Sequence, residues 1–113
     1  MRRMVEISGR KPTKIMFIKK QSHFKLTYIG RDCIKIPPIL CKLYGAKAVR
    51  LDLSYNFVDK LDGLETFIKL EELILDNNIL EDGTQFPPNK GLLALSLNKN
   101  KVSANVVICK LIQ

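Results

Sequence analysis

Asp52, Glu72 and Asp76, with Arg50 beside them, have the strongest claim to chemistry in this sequence. They fall in two short stretches of matching pattern, and carboxylates on neighbouring strands can act as general acid and base toward a bound substrate. The same side chains equally describe a solvated surface of mixed charge, and no further group completes a reaction. The single histidine, His23, falls in a predicted turn beside Ser22 with no matched acid, so it reads as a surface residue rather than a general base. Cys33, Cys41 and Cys109 are odd in number and widely spaced, without a C-x-x-C pair, and read as free buried thiols. No glycine-rich phosphate cradle, Cys/His metal spacing or dinucleotide fingerprint is present. The expectation is a non-enzymatic chain using neither cofactor nor metal.

What must position these residues is a pattern that appears three times: AVRLDLSYN from Ala48, LEELILDNN from Leu70 and LLALSLNKN from Leu92. Ala48, Leu51, Leu53 and Asn56 recur as Leu70, Leu73, Leu75 and Asn78, then as Leu92, Leu95, Leu97 and Asn100, 22 residues apart each time. This is the L-x-x-L-x-L-x-x-N signature of leucine-rich repeats. Leu51 and Leu53 alternate across a short strand and share one face, while Arg50, Asp52 and Ser54 take the other. One such strand with its return cannot bury its own apolar side, so repeats must stack. Asn56, Asn78 and Asn100 close each strand, where a short amide can bond turn backbone groups that stacking removes from water. They are read as an internal ladder rather than as a binding site. The expected fold is an α/β leucine-rich-repeat right-handed solenoid. It has short parallel strands on the concave face, 3-10 or irregular returns on the convex face and an N-terminal β-hairpin-like cap.

Five segments follow. Residues 1–14 read as a basic, weakly held arm around Gly9 and Pro12. Residues 15–47 read as an N-terminal cap and a degenerate repeat. In it, KIMFIKK and FKLTYI suggest a hairpin over 15–29, and counting back 22 from Ala48 reaches Leu26, which puts Ile34 at the asparagine position. Pro37 and Pro38 can open a short helix with Ile39, Leu40 and Leu43 facing inward, and Gly45 can end it. Residues 48–69, 70–91 and 92–113 are the three full repeats. In the first, Val58, Leu61, Leu64, Phe67 and Leu70 have the three-residue period of a tight helical return. The second return, with Leu80 and Phe86 for burial, Gly83 and two prolines, reads as an irregular loop. The third ends at Gln113 without a polar cap, so the terminal coil is expected either to continue in a longer chain or to self-associate.

The 113 residues suffice for one domain with a modest core. Hydrophobic content of 46% and charged content of 27% are those of an ordinary globular chain. Apolar runs stop at four residues, as in Ile15 to Ile18, far short of the roughly 18 that a membrane span needs. Without a secretory leader or clustered cysteines, the expected location is intracellular, cytoplasmic or nuclear. The net charge of +8 is uneven. Residues 1–47 carry twelve Lys and Arg against two acids, residues 48–91 four against nine, and residues 92–113 three lysines alone. The N-terminal part is thus the candidate for an anionic partner, led by Arg2, Arg3, Arg10, Lys11 and Lys14 and extended by Lys19, Lys20 and Lys25.

The candidate protein-binding face is the other strand side. Arg50, Asp52 and Ser54, then Glu72, Ile74 and Asp76, then Ala94, Ser96 and Asn98 project there, with Tyr55, Asn77 and Lys99 at its rim. Apolar contact from Ile74 and Tyr55 surrounded by charge matches a modest protein interface. RNA or ribonucleoprotein association through the basic segment is the alternative, weakened because Phe17, Phe24 and Tyr28 are more simply spent in the cap than on stacking bases.

LDLSYNFVDKLDGLETFIKLEELILDNN resembles the short intracellular repeats of the protein phosphatase 1 regulatory subunit class, also seen in the A-prime protein of a spliceosomal ribonucleoprotein. RLDLSYN, GLETFIKLEELILDNN and LLALSLNKNKVS are more particularly similar to a leucine-rich group associated with melanocyte differentiation. The likeness covers about residues 26–104. It implies a non-enzymatic, partner-binding protein of unnamed protein partner. The GTQFPPNKG loop, the basic leader and the end at Gln113 depart from it.

Overall fold

The computed structural model describes residues 4–6, 24–87 and 89–103. Apolar residues at alternate positions put one strand in each repeat: β3 over Ala48–Asp52, β4 over Glu72–Ile74 and β5 over Ala94–Ser96. All pair in parallel, and the sequence period reappears as their register. Leu51 lies opposite Leu73 and Leu73 opposite Leu95, while Asp52, Ile74 and Ser96 line up on the other side. Leu51, Leu73 and Leu95 form one buried row, and Leu53, Leu75 and Leu97 a second. Val58, Leu61, Leu64, Phe67 and Leu70 close over these rows from the return, all five buried. Only Leu64–Thr66 of that return is helical, as a single 3-10 turn; the rest reaches its three-residue spacing in irregular backbone.

The degenerate repeat is longer than a fixed period predicts. Strand β2, Phe24–Thr27, pairs in parallel with β3, with Leu26 opposite Leu51 and Thr27 opposite Asp52, after a register shift at Phe24 and Lys25. Leu26 therefore corresponds to Leu51 rather than to Ala48. Arg31, 25 residues before Asn56, takes the ladder position expected at Ile34, and Gly30 with φ +64° takes that of Tyr55 with φ +57°. The cause lies in the return. Helix α1, Pro38–Tyr44, replaces the short 3-10 turn, and an α-helix rises only about 1.5 Å per residue, so more residues are needed to span the same length. Pro at its first positions suits the helix start, and the Gly45 N–H closes it on the Cys41 carbonyl.

The facing of α1 also differs from expectation. Leu40 is buried, but Ile39 and Leu43 are 56% and 51% exposed. The Cys41 thiol donates to Gly63 O at 3.6 Å, and a Cβ on Gly45 would lie 2.9 Å from Thr66 O, so the edge carrying residues 41 and 45 meets the next return. Residues 39 and 43 lie about 200° round the helix from that edge, on the side away from the stack. The Phe24 and Tyr44 rings pack edge to face at 5.2 Å, fixing the helix end to β2.

Within the stretch read as an arm, residues 1–14, the described residues Met4–Glu6 form strand β1. It pairs in parallel with β5, Val5 opposite Leu95, and gives the sheet order β1-β5-β4-β3-β2. The physical reason is that β5 would otherwise present a row of unpaired backbone groups. Phe24–Thr27 is a strand as expected, while the hairpin partner at 15–23, His23, Ser22 and the last residues, 104–113 with Cys109, lie outside the described residues.

Candidate interaction site

The asparagines make the backbone frame that carries the candidate face. The Asn56 amide donates to the carbonyls of Tyr28, Leu53 and Ser54, and its oxygen accepts from the N–H groups of Arg31 at 2.8 Å and Cys33 at 3.1 Å. Asn78 repeats this one step on, donating to Leu53, Leu75 and Asp76 and accepting from Val58 at 2.9 Å. Asn100 donates to Leu75, Leu97 and Asn98 and accepts from Leu80 at 3.0 Å. Each amide thus bonds its own strand end and the one before it. The residue preceding each asparagine must turn the chain sharply, and Tyr55, Asn77 and Lys99 all have positive φ, 57°, 56° and 60°. That turn holds Tyr55 and Lys99 outward at the rim, both exposed.

On the strand face, polar side chains bind one another. The Asp52 carboxylate accepts from the Ser54 N–H at 3.0 Å and hydroxyl at 2.6 Å. Arg50 reaches across from Asp52, 3.8 Å away, to Glu72 on the next strand at 3.3 Å. Asp76 accepts from the Ser96 hydroxyl at 2.6 Å and the Asn98 N–H at 2.9 Å, and the Asn98 amide donates to Ser96 Oγ at 3.2 Å. The register brings these side chains onto neighbouring strands, where they are unequally available. Asp52, Ser54 and Asn98 are buried by these bonds, whereas Arg50, Glu72, Ile74 and Asp76 are half-buried and open to contact. Among the described residues no group of three His, Cys, Asp or Glu is placed to hold a metal ion.

Cys33 is half-buried, and its thiol is pushed up by burial and by the Asp32 charge, against a smaller lowering by Arg31. Of the anion-binding candidates, Arg2, Arg3, Arg10, Lys11 and Lys14 lie outside the described residues, while Lys25 is exposed on β2. Two residues that the sequence reading does not single out are prominent: Phe57 and Ile79, each directly after a ladder asparagine and each exposed. The signal was their type, large and apolar at a position the repeat pattern leaves free. No helix among the described residues is long and apolar enough to cross a membrane.

A 43-residue stretch, 38% of the chain, is 51% identical to the human leucine-rich melanocyte differentiation-associated protein. The aligned stretch spans 22% of that protein's length. No family model and no solved structure matches the chain.

Proposed function

We propose that the chain is a non-enzymatic protein–protein interaction module, built as a leucine-rich-repeat right-handed solenoid of the kind found in the protein phosphatase 1 regulatory subunit class. By its similarity to the melanocyte differentiation-associated protein, the module acts in melanocyte differentiation. The observation that carries the interaction reading is the strand face itself. Arg50 and Glu72 form an ion pair across two strands beside the half-buried Ile74, a mixed charged and apolar surface held in place by the repeat register. Side chains fixed before binding lose little freedom on docking, so a mixed surface of this kind can grip a protein segment of complementary charge.

The basic excess of residues 1–47 keeps RNA as the second reading. One experiment separates them: affinity capture from melanocytes with quantitative mass spectrometry, comparing the wild type with Ile74→Arg and Glu72→Arg, with and without ribonuclease. The expected result is a protein retained after ribonuclease and lost with either substitution. A captured set that vanishes with ribonuclease and with modest salt, and ignores both substitutions, would assign the chain to RNA instead.

A further inference from the structure

The backbone just past the asparagine ladder forms a ridge along the ends of the strands. The Phe57 N–H donates to Cys33 O at 2.7 Å and the Ile79 N–H to Val58 O at 3.1 Å, tying each ridge segment to the one before. Phe57 and Ile79 are corresponding residues of successive repeats, and their backbones follow the spacing of neighbouring strands, about 5 Å. Tyr55, two residues before Phe57, is exposed at the rim of the strand face. Tyr55 is 65% exposed, Phe57 51% and Ile79 39%. Single exposed apolar side chains are ordinary, whereas several at corresponding and neighbouring positions are a candidate contact surface.

Ile79 is at the same time a wall of an open groove of about 600 Å³, lined also by Asp59, Lys60, Asp62, Glu81 and Thr84. The groove is shaped by Thr84. Its N–H donates to Glu81 O at 3.0 Å, its hydroxyl accepts from the Glu81 N–H at 3.1 Å, and the same hydroxyl lies 3.4 Å from Asp59 O as a donor. Asp59, Asp62 and Glu81 are exposed carboxylates with Lys60 as the cation among them, so the groove is negative within a chain of net charge +8.

This combination selects an occupant. A second copy docking by the same surface would set carboxylates against carboxylates, and an acidic segment would be repelled. We infer that the Tyr55, Phe57 and Ile79 row with its adjoining groove is a docking surface for a basic peptide segment of another protein. That segment carries an aliphatic or aromatic anchor flanked by lysine or arginine. The anchor packs on the row, and the flanking cations meet Asp59, Asp62 and Glu81 or the faces of the two aromatic rings. Tyr55 is shared with the rim of the strand face, whereas Phe57, Ile79 and the groove are not part of that face, so variants at Phe57, Ile79 and Glu81 test the inference separately from it.

The test is selection of short random peptides displayed on phage against the full chain, then fluorescence anisotropy with the enriched peptides made synthetically. The enriched peptides are expected to be basic with an apolar anchor. Their affinity should fall at least tenfold in Ile79→Ser, in Phe57→Ser and in Glu81→Lys, with Glu72→Lys on the strand face unchanged. Thermal melting checks that each variant is folded, and the half-exposed Phe57 serves if Ile79→Ser is not. Failure to enrich basic peptides, or equal loss in Glu72→Lys, overturns the inference. A dimer in sedimentation that Phe57→Ser dissociates would give the row to a second copy and overturn it as well.

Discussion

Replacing Asn78 with alanine asks how much of the stack hangs on one backbone group. Three carbonyls receive the Asn78 amide, and each keeps another donor when it is gone. Asn56 bonds Leu53 O at 2.9 Å, Asn100 bonds Leu75 O at 2.8 Å, and the Tyr55 N–H bonds Asp76 O at 3.0 Å. The Val58 N–H has no such substitute among the hydrogen bonds of the described residues, and Val58 is fully buried. The loss is therefore that of one orphaned buried donor, about 1–3 kcal/mol, rather than the sum of four hydrogen bonds. For a domain of this size it corresponds to a fall in thermal midpoint of about 5–20 °C. The assay is thermal and urea unfolding followed by circular dichroism, with amide exchange read at Val58. Faster exchange at Val58 should accompany the loss. A change below about 0.5 kcal/mol would refute the reasoning, because a buried unpaired N–H cannot be that cheap. A loss well above about 5 kcal/mol would refute it differently, by showing that the carbonyls are not shared.

Gly63→Ala should destabilise through two separable effects, since Gly63 has φ +95° and its added Cβ would lie 2.8 Å from Cys41 Sγ. Adding Cys41→Ala relieves the contact but not the left-handed strain of about 1–2 kcal/mol, so a double-mutant cycle should show favourable coupling; strict additivity would contradict the contact. Tyr55→Gly should stabilise by about 0.5–1 kcal/mol, the relief of a left-handed tyrosine less the chain entropy of glycine, while weakening any peptide held on the ridge. Urea midpoints measure the first effect and anisotropy the second. Cys33 should react with iodoacetamide along a pH profile displaced upward from a free thiol, and Asp32→Asn should move the profile back down. Because the folded thiol is raised, its contribution to stability is present below the unfolded thiol value and is lost as pH rises through the folded one. A profile at or below that of free cysteine would contradict the burial and the Asp32 charge.

What could be read from sequence depended on how strictly each residue's task fixes its spacing. Leu51, Leu73 and Leu95 must meet in one row, and any slip by one residue would turn them outward, so their register was legible. Leu26 was misplaced because a helical return has no fixed length, and a period learned from the later repeats fell three residues short. Ile39 and Leu43 were misjudged for a different reason. Apolar spacing identifies a stripe on α1, but which side meets the neighbouring return is decided by close approach, and the small residues Cys41 and Gly45 make it. Strand β1 carried no pattern at all, being three residues whose pairing with β5 depends on an edge far along the chain. On the strand face the residue types were legible, yet the burial of Asp52, Ser54 and Asn98 was not, because it comes from side chains bonding one another across the face.

The ladder and the ridge are consequences of one local requirement. To bring Asn78 inward onto Leu53, Leu75 and Val58, the preceding residue must adopt positive φ, and the following residue, Ile79, is then turned outward with its N–H fixed on Val58 O. The same sequence of events at Asn56 turns Phe57 outward and fixes it on Cys33 O. Exposure of the two apolar side chains therefore follows from burial of the two amides. The backbone of each residue one place beyond a buried asparagine is held by its own hydrogen bond, although Phe57 and Ile79 are not among the buried core. Of the two, Phe57 is the more exposed and so the informative position: Phe57→Ser should leave the melting curve within about 0.5 kcal/mol of the wild type, as expected for an exposed site, while lowering peptide binding. A large loss of stability in that variant would mean that the ring is spent on packing, and the ridge would then have no apolar surface to offer a partner.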